Sequence, residues 1–170
     1  MNLKKFIRDI PDFPKKGILF RDITPLLNNK KAFKYVIDTF AKTLKNKKIE
    51  YIVAAESRGF IFGGALSYKL GCGFIPVRKP GKLPYKTNRY TYDLEYGTDT
   101  LEIHQDAFTG QSKILILDDL LATGGTAQAL IKLVESMSGK IVAVAFVIEL
   151  TELGGRNKIE NYPVISLIQY

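Results

Sequence analysis

Apolar positions along this chain form short continuous runs and longer helical repeats that follow one another. Short apolar runs predict strands buried on both faces at residues 49–55, 74–77, 114–117, 141–150 and 164–168. Helical spacing predicts helices at residues 31–46, 60–70 and 127–137, and a shorter helix at residues 3–10. Strands that alternate with helices favour an α/β fold with a mainly parallel, twisted sheet flanked by helices.

Two segments depart from this alternation. Residues 14–27 carry Gly17 and Pro25 around a few apolar anchors and predict an irregular but ordered arm on the core. Residues 85–108 are aromatic and alternating, with Gly97 at the middle, and predict an inserted antiparallel hairpin. Such a hairpin has the form of a flap that closes over a site and excludes water.

The stretch at residues 113–126, KILILDDLLATGGT, carries the strongest chemical signal. A buried strand leads into Asp118 and Asp119, and a Gly-rich turn then enters a helix. Glycines let the backbone approach a ligand closely, and the first N–H groups of a helix lack internal partners, so such a turn suits a phosphate. Because carboxylates accept hydrogen bonds from vicinal hydroxyls, the adjacent acids indicate a ribose phosphate. An ordinary strand-to-helix turn capped by an Asp is the alternative.

Cations follow two other predicted strands. Arg58 lies in a polar loop after residues 49–55, at the strand end where open α/β sheets bind ligands. Arg78, Lys79 and Lys82 lie within five residues in a turn that contains Pro and Gly, which suits a diphosphate. The alternatives are a surface Arg that caps a helix and a solvated basic turn.

Composition narrows the class of protein. The 170 residues, of which 46% are hydrophobic, suit a single domain spanning residues 1–170. No apolar run approaches the ~18 to 20 residues of a membrane span, and the N-terminal residues lack the apolar segment of a secretory signal. We therefore expect a cytoplasmic protein without membrane contact. One Cys and one His exclude a Cys/His zinc site. Cys72 is predicted to be a small buried residue and His104 a structural one.

The net charge of +8 is compatible with nucleic-acid binding. Many of the lysines, however, lie at residues 30–48, on a predicted helix whose apolar stripe follows its other face. That distribution favours a solvated surface, so no nucleic-acid partner is expected.

Residues 118–126 resemble the phosphoribosyl diphosphate motif of the type I phosphoribosyltransferases. In the hypoxanthine-guanine branch of that family, the fourth residue after the first acid is a further Asp that serves as the base. This chain has Ala122 there, which cannot carry a proton. Four other stretches are similar to the adenine branch and come in the family's order: FRDITPLL at 20–27, ESRGF at 56–60, RKPGKLP at 78–84 and LEYG at 94–97.

The resemblance covers nearly the whole chain and implies the type I phosphoribosyltransferase fold. That fold has an N-terminal hood, at about residues 1–30, and an inserted flap, at about residues 79–108. The implied activity is purine salvage: the phosphoribosyl group passes from phosphoribosyl diphosphate to N9 of adenine, which forms AMP and diphosphate. Mg²⁺ would be held mainly by the substrate, without a direct protein ligand, and the protein would be a homodimer.

Two alternatives to this function stay open. One is the same transfer to hypoxanthine or guanine, which Ala122 and the hood oppose. The other is a non-catalytic regulator that senses phosphoribosyl diphosphate and binds nucleic acid, which the flap with Glu95 and the lack of an appended DNA-binding module oppose.

The resemblance assigns site residues by motif position. Phe20 would stack on the purine, the backbone around Leu19 would meet its exocyclic amine, and Arg21 would brace the closed site. Glu95 in the flap would act as the acid/base; otherwise it is a solvent-facing strand residue.

The remaining site residues would bind the phosphorylated parts of the substrate. The diphosphate would be bound by Arg58, Lys79, Lys82 and by Arg78 of this or the neighbouring subunit. The phosphoribose would be bound by Asp118, Asp119, Ala122, Thr123, Gly124, Gly125 and Thr126. Residues 151–156 predict a turn that lines the site from below.

Overall fold

The computed structural model describes residues 1–93 and 97–170. The helices are α1 (Thr24–Asn28), α2 (Lys30–Leu44), α3 (Arg58–Leu70) and α4 (Gly125–Ser136). The strands are β1 (Arg8–Pro11), β2 (Leu19–Asp22), β3 (Tyr51–Ala55), β4 (Gly73–Val77), β5 (Thr87–Asp93), β6 (Thr98–His104), β7 (Lys113–Leu121), β8 (Lys140–Glu149) and β9 (Val164–Gln169). Short 3-10 helices lie at Leu3–Phe6, Lys45–Lys47, Thr151–Leu153 and Gly155–Ile159.

A five-stranded parallel sheet in the order β4-β3-β7-β8-β9 forms the centre of the molecule. In β7, Ile114 and Ile116 belong to the hydrophobic cluster on one face, and Leu115 and Leu117 belong to the cluster on the other. Because both faces are covered, the strand is a continuous apolar run rather than an alternation. The predicted α/β fold with a mainly parallel sheet is confirmed.

Different elements cover the two faces of the sheet. Helices α2 and α3 supply one cluster with side chains that include Val36, Phe40, Phe62 and Leu66. Helix α4 and the antiparallel β5–β6 hairpin supply the other with side chains that include Leu130, Val134, Leu101 and Ile103. The predicted hairpin is therefore present, and its inner face is part of the core.

The prediction of a helix at residues 3–10 was wrong. Residues 3–10 do not form one helix: a single 3-10 turn is followed by β1, which pairs antiparallel with β2. Strand β2 lies in the segment predicted to be irregular. Pairing between residues so far apart overrides the local helical spacing, and an Arg8–Asp22 ion pair of 3.6 Å joins the two strands.

Two smaller predictions also need correction. Strand β7 does not end before Asp118 but continues to Leu121, because β8 pairs with it as far as Glu149. Cys72 is only partly buried, although burial still raises the pKa of its thiol. Among the helices of the described residues, none has the length and apolar character needed to cross a membrane.

Candidate active site

The carboxyl ends of β3 and β7 bring a cation and two acids together. Strands β3 and β7 are parallel neighbours, so the loop after β3 and the acids of β7 lie at the same edge of the sheet. Arg58 Nη2 lies 2.8 Å from Asp119 Oδ2, and Asp119 is 5% exposed. A methyl group at Gly59 would lie 2.8 Å from Asp118 Oδ1. The Gly of the ESRG loop thus allows the close approach of the two segments.

These surroundings change the acidity of both carboxyl groups. Burial, with the neighbouring Asp119 charge, raises the pKa of Asp118 well above its ordinary value. Burial also raises the pKa of Asp119, although the Arg58 guanidinium opposes that change. Ionised acids in this position need further hydrogen-bond donors or positive charge, and the hydroxyls of a bound sugar can supply donors.

The Gly-rich turn forms a cradle beside these acids. Gly124 has a φ of +82°, which favours glycine, and α4 begins at the next residue. A cavity of about 220 Å³ is lined by Arg58, both acids and residues 120–127. The structure therefore places Arg58 together with the predicted phosphoribose residues, at the start of a helix where unpaired N–H groups attract an anion.

A second cavity, of about 430 Å³, adjoins the cradle and shares Leu120, Ala122 and Thr123 with it. Its other walls come from the hood and from the connection after β8: Gly17, Ile18, Leu19, Phe20, Arg21, Leu150, Glu152 and Leu153. The three predicted adenine residues of the hood all lie in this lining, and the predicted turn at residues 151–156 contributes Glu152 and Leu153.

Aromatic and cationic contacts hold the hood in place. The Phe20 ring meets Phe13 edge-on at 5.0 Å, and the Arg58 guanidinium lies 5.1 Å from its centroid. Arg21 stacks at 3.7 Å on the ring of Tyr170 and forms an ion pair with Asp9. In this arrangement Arg21 links the hood to the C-terminal residue.

The basic turn is held by an acid that the sequence reasoning missed. Glu56 accepts hydrogen bonds from the Lys79 backbone N–H at 2.6 Å, from Lys82 Nζ at 3.1 Å and from Arg78 Nη2 at 3.1 Å. Burial opposes ionisation of Glu56, but these bonds together keep its pKa below the ordinary value. Its place directly before the Ser-Arg-Gly loop, at the same sheet edge as the three cations, was the available signal.

A hydroxyl contact joins the flap to the phosphate cradle. Tyr92 Oη lies 3.3 Å from Thr126 Oγ1, and Lys79 Nζ bonds Asp99 of the hairpin at 2.9 Å. Glu95, the predicted acid/base, lies outside the described residues, so its role stays a prediction.

The turn predicted at residues 151–156 also contacts the cradle from below. Gly155 lies directly under the cradle, where an added methyl group would be 2.1 Å from the carbonyl oxygen of Ala122. The sequence placed this turn below the site but did not indicate that Gly155 would lie against Ala122.

Comparisons with known proteins agree with this geometry. The family model described as "Phosphoribosyl transferase domain" matches residues 22–168. An adenine phosphoribosyltransferase of Brachyspira hyodysenteriae is 63% identical over 170 residues, which cover 100% of both chains.

Solved structures give the same result. The adenine phosphoribosyltransferase of Thermoanaerobacter pseudethanolicus matches with a TM-score of 0.96 and 56% identity, over 99% of this chain and 98% of that one. The Saccharomyces cerevisiae enzyme, complexed with an imino-altritol bisphosphate and adenine, matches with a TM-score of 0.92 and 44% identity, over 97% and 96%. The chain therefore belongs to the phosphoribosyltransferase family, among its adenine phosphoribosyltransferases.

Proposed function

We propose that this chain transfers the phosphoribosyl group of phosphoribosyl diphosphate to N9 of adenine, forming AMP and diphosphate in purine salvage. The observation that carries the proposal is the junction of two cavities at Leu120, Ala122 and Thr123. One cavity suits a sugar phosphate and the other suits a base. A base and a ribose placed in them would meet where the new glycosidic bond forms.

Residues from each wall of the site have a role in the proposed reaction. Phe20 stacks on adenine, and a backbone carbonyl near Leu19 accepts from its exocyclic amine; the oxo group of hypoxanthine offers no such donor. Asp118 and Asp119 accept from the ribose hydroxyls while residues 122–126 hold the 5′-phosphate. Adenine N9 then bonds to the anomeric carbon as the bond from that carbon to the diphosphate oxygen breaks.

The proton that N9 loses needs an acceptor other than Ala122. We assign this role to Glu95, by family resemblance. A flap closed over the site would also keep water from capturing the oxocarbenium-like ribosyl centre.

The leaving diphosphate is proposed to bind Arg58, Lys79 and Lys82, with Arg78 serving this or the neighbouring subunit. Mg²⁺ would be held mainly by the diphosphate and ribose oxygens of the substrate, which are the hard ligands that this ion prefers, while Asp118 and Asp119 bind the diol. The described residues contain no cluster of three or more acidic, His or Cys side chains able to hold a metal. Bound Mg²⁺ would supply neutralisation of the negative charge on diphosphate.

We further propose that the enzyme is a cytoplasmic homodimer. The large exposed side chains Ile61, 42% exposed, and Tyr68, 91% exposed, support a partner-binding face on α3. A cytoplasmic location is consistent with a highly charged donor substrate, which does not cross a membrane unaided.

Diphosphate release, measured with each base in turn, tests the assignment. With Mg²⁺ and phosphoribosyl diphosphate present, release should require adenine and should not occur with hypoxanthine, guanine or no base. Release with hypoxanthine or guanine instead would move the chain to the other branch. No release with any base, together with tight nucleic-acid binding, would support the non-catalytic regulator.

A further inference from the structure

The connection between β8 and β9 meets the phosphate cradle in a close backbone contact. A methyl group at Gly155 would lie 2.9 Å from the Gly124 nitrogen, and a methyl group at Gly124 would lie 2.6 Å from the Gly155 carbonyl oxygen. No side chain fits between these two backbone segments. A displacement of Gly155 is therefore transmitted directly to the cradle.

Arg156, the next residue, forms hydrogen bonds with residues of β8 and β9. Its Nε donates to Glu149 Oε1 at 2.8 Å, its Nη2 donates to the second oxygen of that carboxylate, and its Nη1 donates to the Val164 carbonyl at 3.3 Å. Glu149 is 3% exposed and also accepts from Ser166 Oγ at 2.6 Å and from Gln169 Nε2 at 3.3 Å. Both oxygens of the buried Glu149 carboxylate thus accept hydrogen bonds.

Stability alone does not account for this ion pair, whose carboxylate is buried while the Arg156 side chain is 41% exposed. Replacing a pair that contains a buried charge with apolar residues is often neutral or stabilising, because the cost of removing that charge from water offsets the attraction. A bidentate Arg–carboxylate pair does fix geometry. The geometry it fixes at this place is that of Gly155, the residue adjacent to Arg156 and in contact with the cradle.

We propose that Glu149 and Arg156 are positioning residues for the sugar-phosphate cavity. By anchoring Gly155, they hold the backbone of residues 122–126 in the arrangement that receives the 5′-phosphate. This inference rests on the proposed function of the cradle as the phosphoribose site.

The base cavity is held by backbone hydrogen bonds of its own. Loss of the Glu149–Arg156 ion pair should therefore affect the binding of the two substrates unequally. Leu150 and its neighbours line that cavity, and their backbone is held by bonds from Leu150 N to Leu121 O and from Thr151 N to Tyr170 O, both 2.9 Å. Neither bond involves Glu149 or Arg156 side chains. Loss of the ion pair should therefore weaken phosphoribosyl binding more than adenine binding.

Glu149→Gln tests this in steady-state kinetics and in calorimetric titration with ribose 5-phosphate. The KM for phosphoribosyl diphosphate and the Kd of ribose 5-phosphate should each rise roughly tenfold, since small misplacements of binding groups have effects of this order. The KM for adenine should change by less than about twofold. The control is Asp38→Asn, which removes a carboxylate paired with Lys34 and Lys69 on α2 and α3. Lys69 lies about 16 Å along α3 from Arg58 at ~1.5 Å per residue, and the loss of this carboxylate should leave all three constants unchanged.

Arg156→Lys is the second variant, because this side chain is 41% exposed and lysine keeps its charge while losing the two-point contact. The same two constants should rise, by less than in Glu149→Gln. A lower Tm with an unchanged Kd for ribose 5-phosphate in both variants would overturn the proposal, as would an equal rise in both KM values. A wild-type chain that binds ribose 5-phosphate but does not transfer the phosphoribosyl group of phosphoribosyl diphosphate to adenine would contradict the proposed function instead, while the titrations would still decide the positioning role.

Discussion

At the scale of single residues, the site depends on two carboxyl groups held largely out of water beside one cation. Burial raises the pKa of Asp118 and of Asp119, and the Arg58 guanidinium partly offsets this for Asp119. Two such acids are costly without a ligand, and a ribose diol supplies the donors they need.

Asp118→Asn and Asp119→Asn should each raise the KM for phosphoribosyl diphosphate roughly tenfold or more, with a smaller change in the KM for adenine. An amide accepts hydrogen bonds from ribose hydroxyls less strongly than a carboxylate does, and bonds to charged groups are worth about 1.5–3 kcal/mol. The effect should be larger for Asp119, because its loss also leaves Arg58 without its 2.8 Å partner. Steady-state kinetics with each substrate varied in turn measures this. Equal changes in the two KM values would mean that the acids do not bind the diol.

Sequence reasoning identified these acids because their motif is local, with fixed residue types at fixed spacing. It could not identify the ion pair from Arg58 to Asp119, since that contact depends on the register of two strands far apart along the chain. The same limit explains why Glu56 was missed and why Gly155 was predicted only as part of a turn below the site. Each is a common residue whose role comes only from what lies against it in space.

At the scale of elements, the basic turn is surrounded by acids from two different parts of the chain. Glu56 binds it from the loop after β3, and from β6 the Glu102 carboxylate accepts from the Gly81 backbone N–H at 3.2 Å. Glu102 is 1% exposed, and its other oxygen lies 2.6 Å from Arg89 Nε. The turn is therefore ordered by contacts on both sides, and Glu56 holds its cations beside the loop that carries Arg58.

Glu56→Gln should raise the KM for phosphoribosyl diphosphate about tenfold, because a neutral amide holds the Lys79 N–H and the Lys82 and Arg78 side chains less firmly than the carboxylate does. Steady-state kinetics and product inhibition by diphosphate measure the change. Glu50→Gln is the control: this residue also accepts a backbone N–H bond, from Lys113 at 2.8 Å, but at the opposite end of β3. A lower KM in Glu56→Gln would show instead that Glu56 competes with diphosphate for the cations.

The elements themselves were predicted unevenly from the sequence. Buried parallel strands such as β7 and β8 gave strong signals, because both of their faces are apolar. The β1–β2 pair gave none, because its strands are short and largely exposed and are held by pairing across the hood. Local patterns report burial well and long-range pairing poorly.

At the scale of the whole molecule, the parallel sheet gathers segments from most of the chain at one edge. The loop after β3, the turn after β4, the acids in the last residues of β7 and the connection after β8 all lie at the carboxyl ends of strands. This rule for α/β sheets predicted where the site would lie. The turn at residues 151–156 was also predicted to lie below the site, but the contacts of Glu149 and Gly155 that support the cradle needed the three-dimensional structure.

The contacts of Glu149 also predict how the stability of the folded chain depends on pH. Hydrogen bonds from Arg156, opposed by burial and supplemented by Ser166, lower the pKa of Glu149 from 4.5 to about 2 in the folded chain. A carboxyl with a lowered folded pKa stabilises the folded state fully above its unfolded pKa. That stabilisation is lost as pH falls from about 4.5 to about 2, because the unfolded chain takes up the proton first. At about 1.4 kcal/mol per pKa unit, the contribution is at most about 3 kcal/mol, and solvent screening at the half-exposed Arg156 reduces it.

Glu149→Gln isolates this contribution from that of Asp118 and Asp119, whose raised pKa values act in the opposite direction. Because those acids are present in both chains, their effect cancels in the difference between wild type and variant. Urea denaturation should show a difference in the free energy of unfolding that is constant between pH 6 and 8. This difference should shrink steadily below about pH 4.5. A difference that stays the same down to pH 3 would mean that Glu149 is not held ionised by Arg156, and it would also remove the anchor proposed for Gly155.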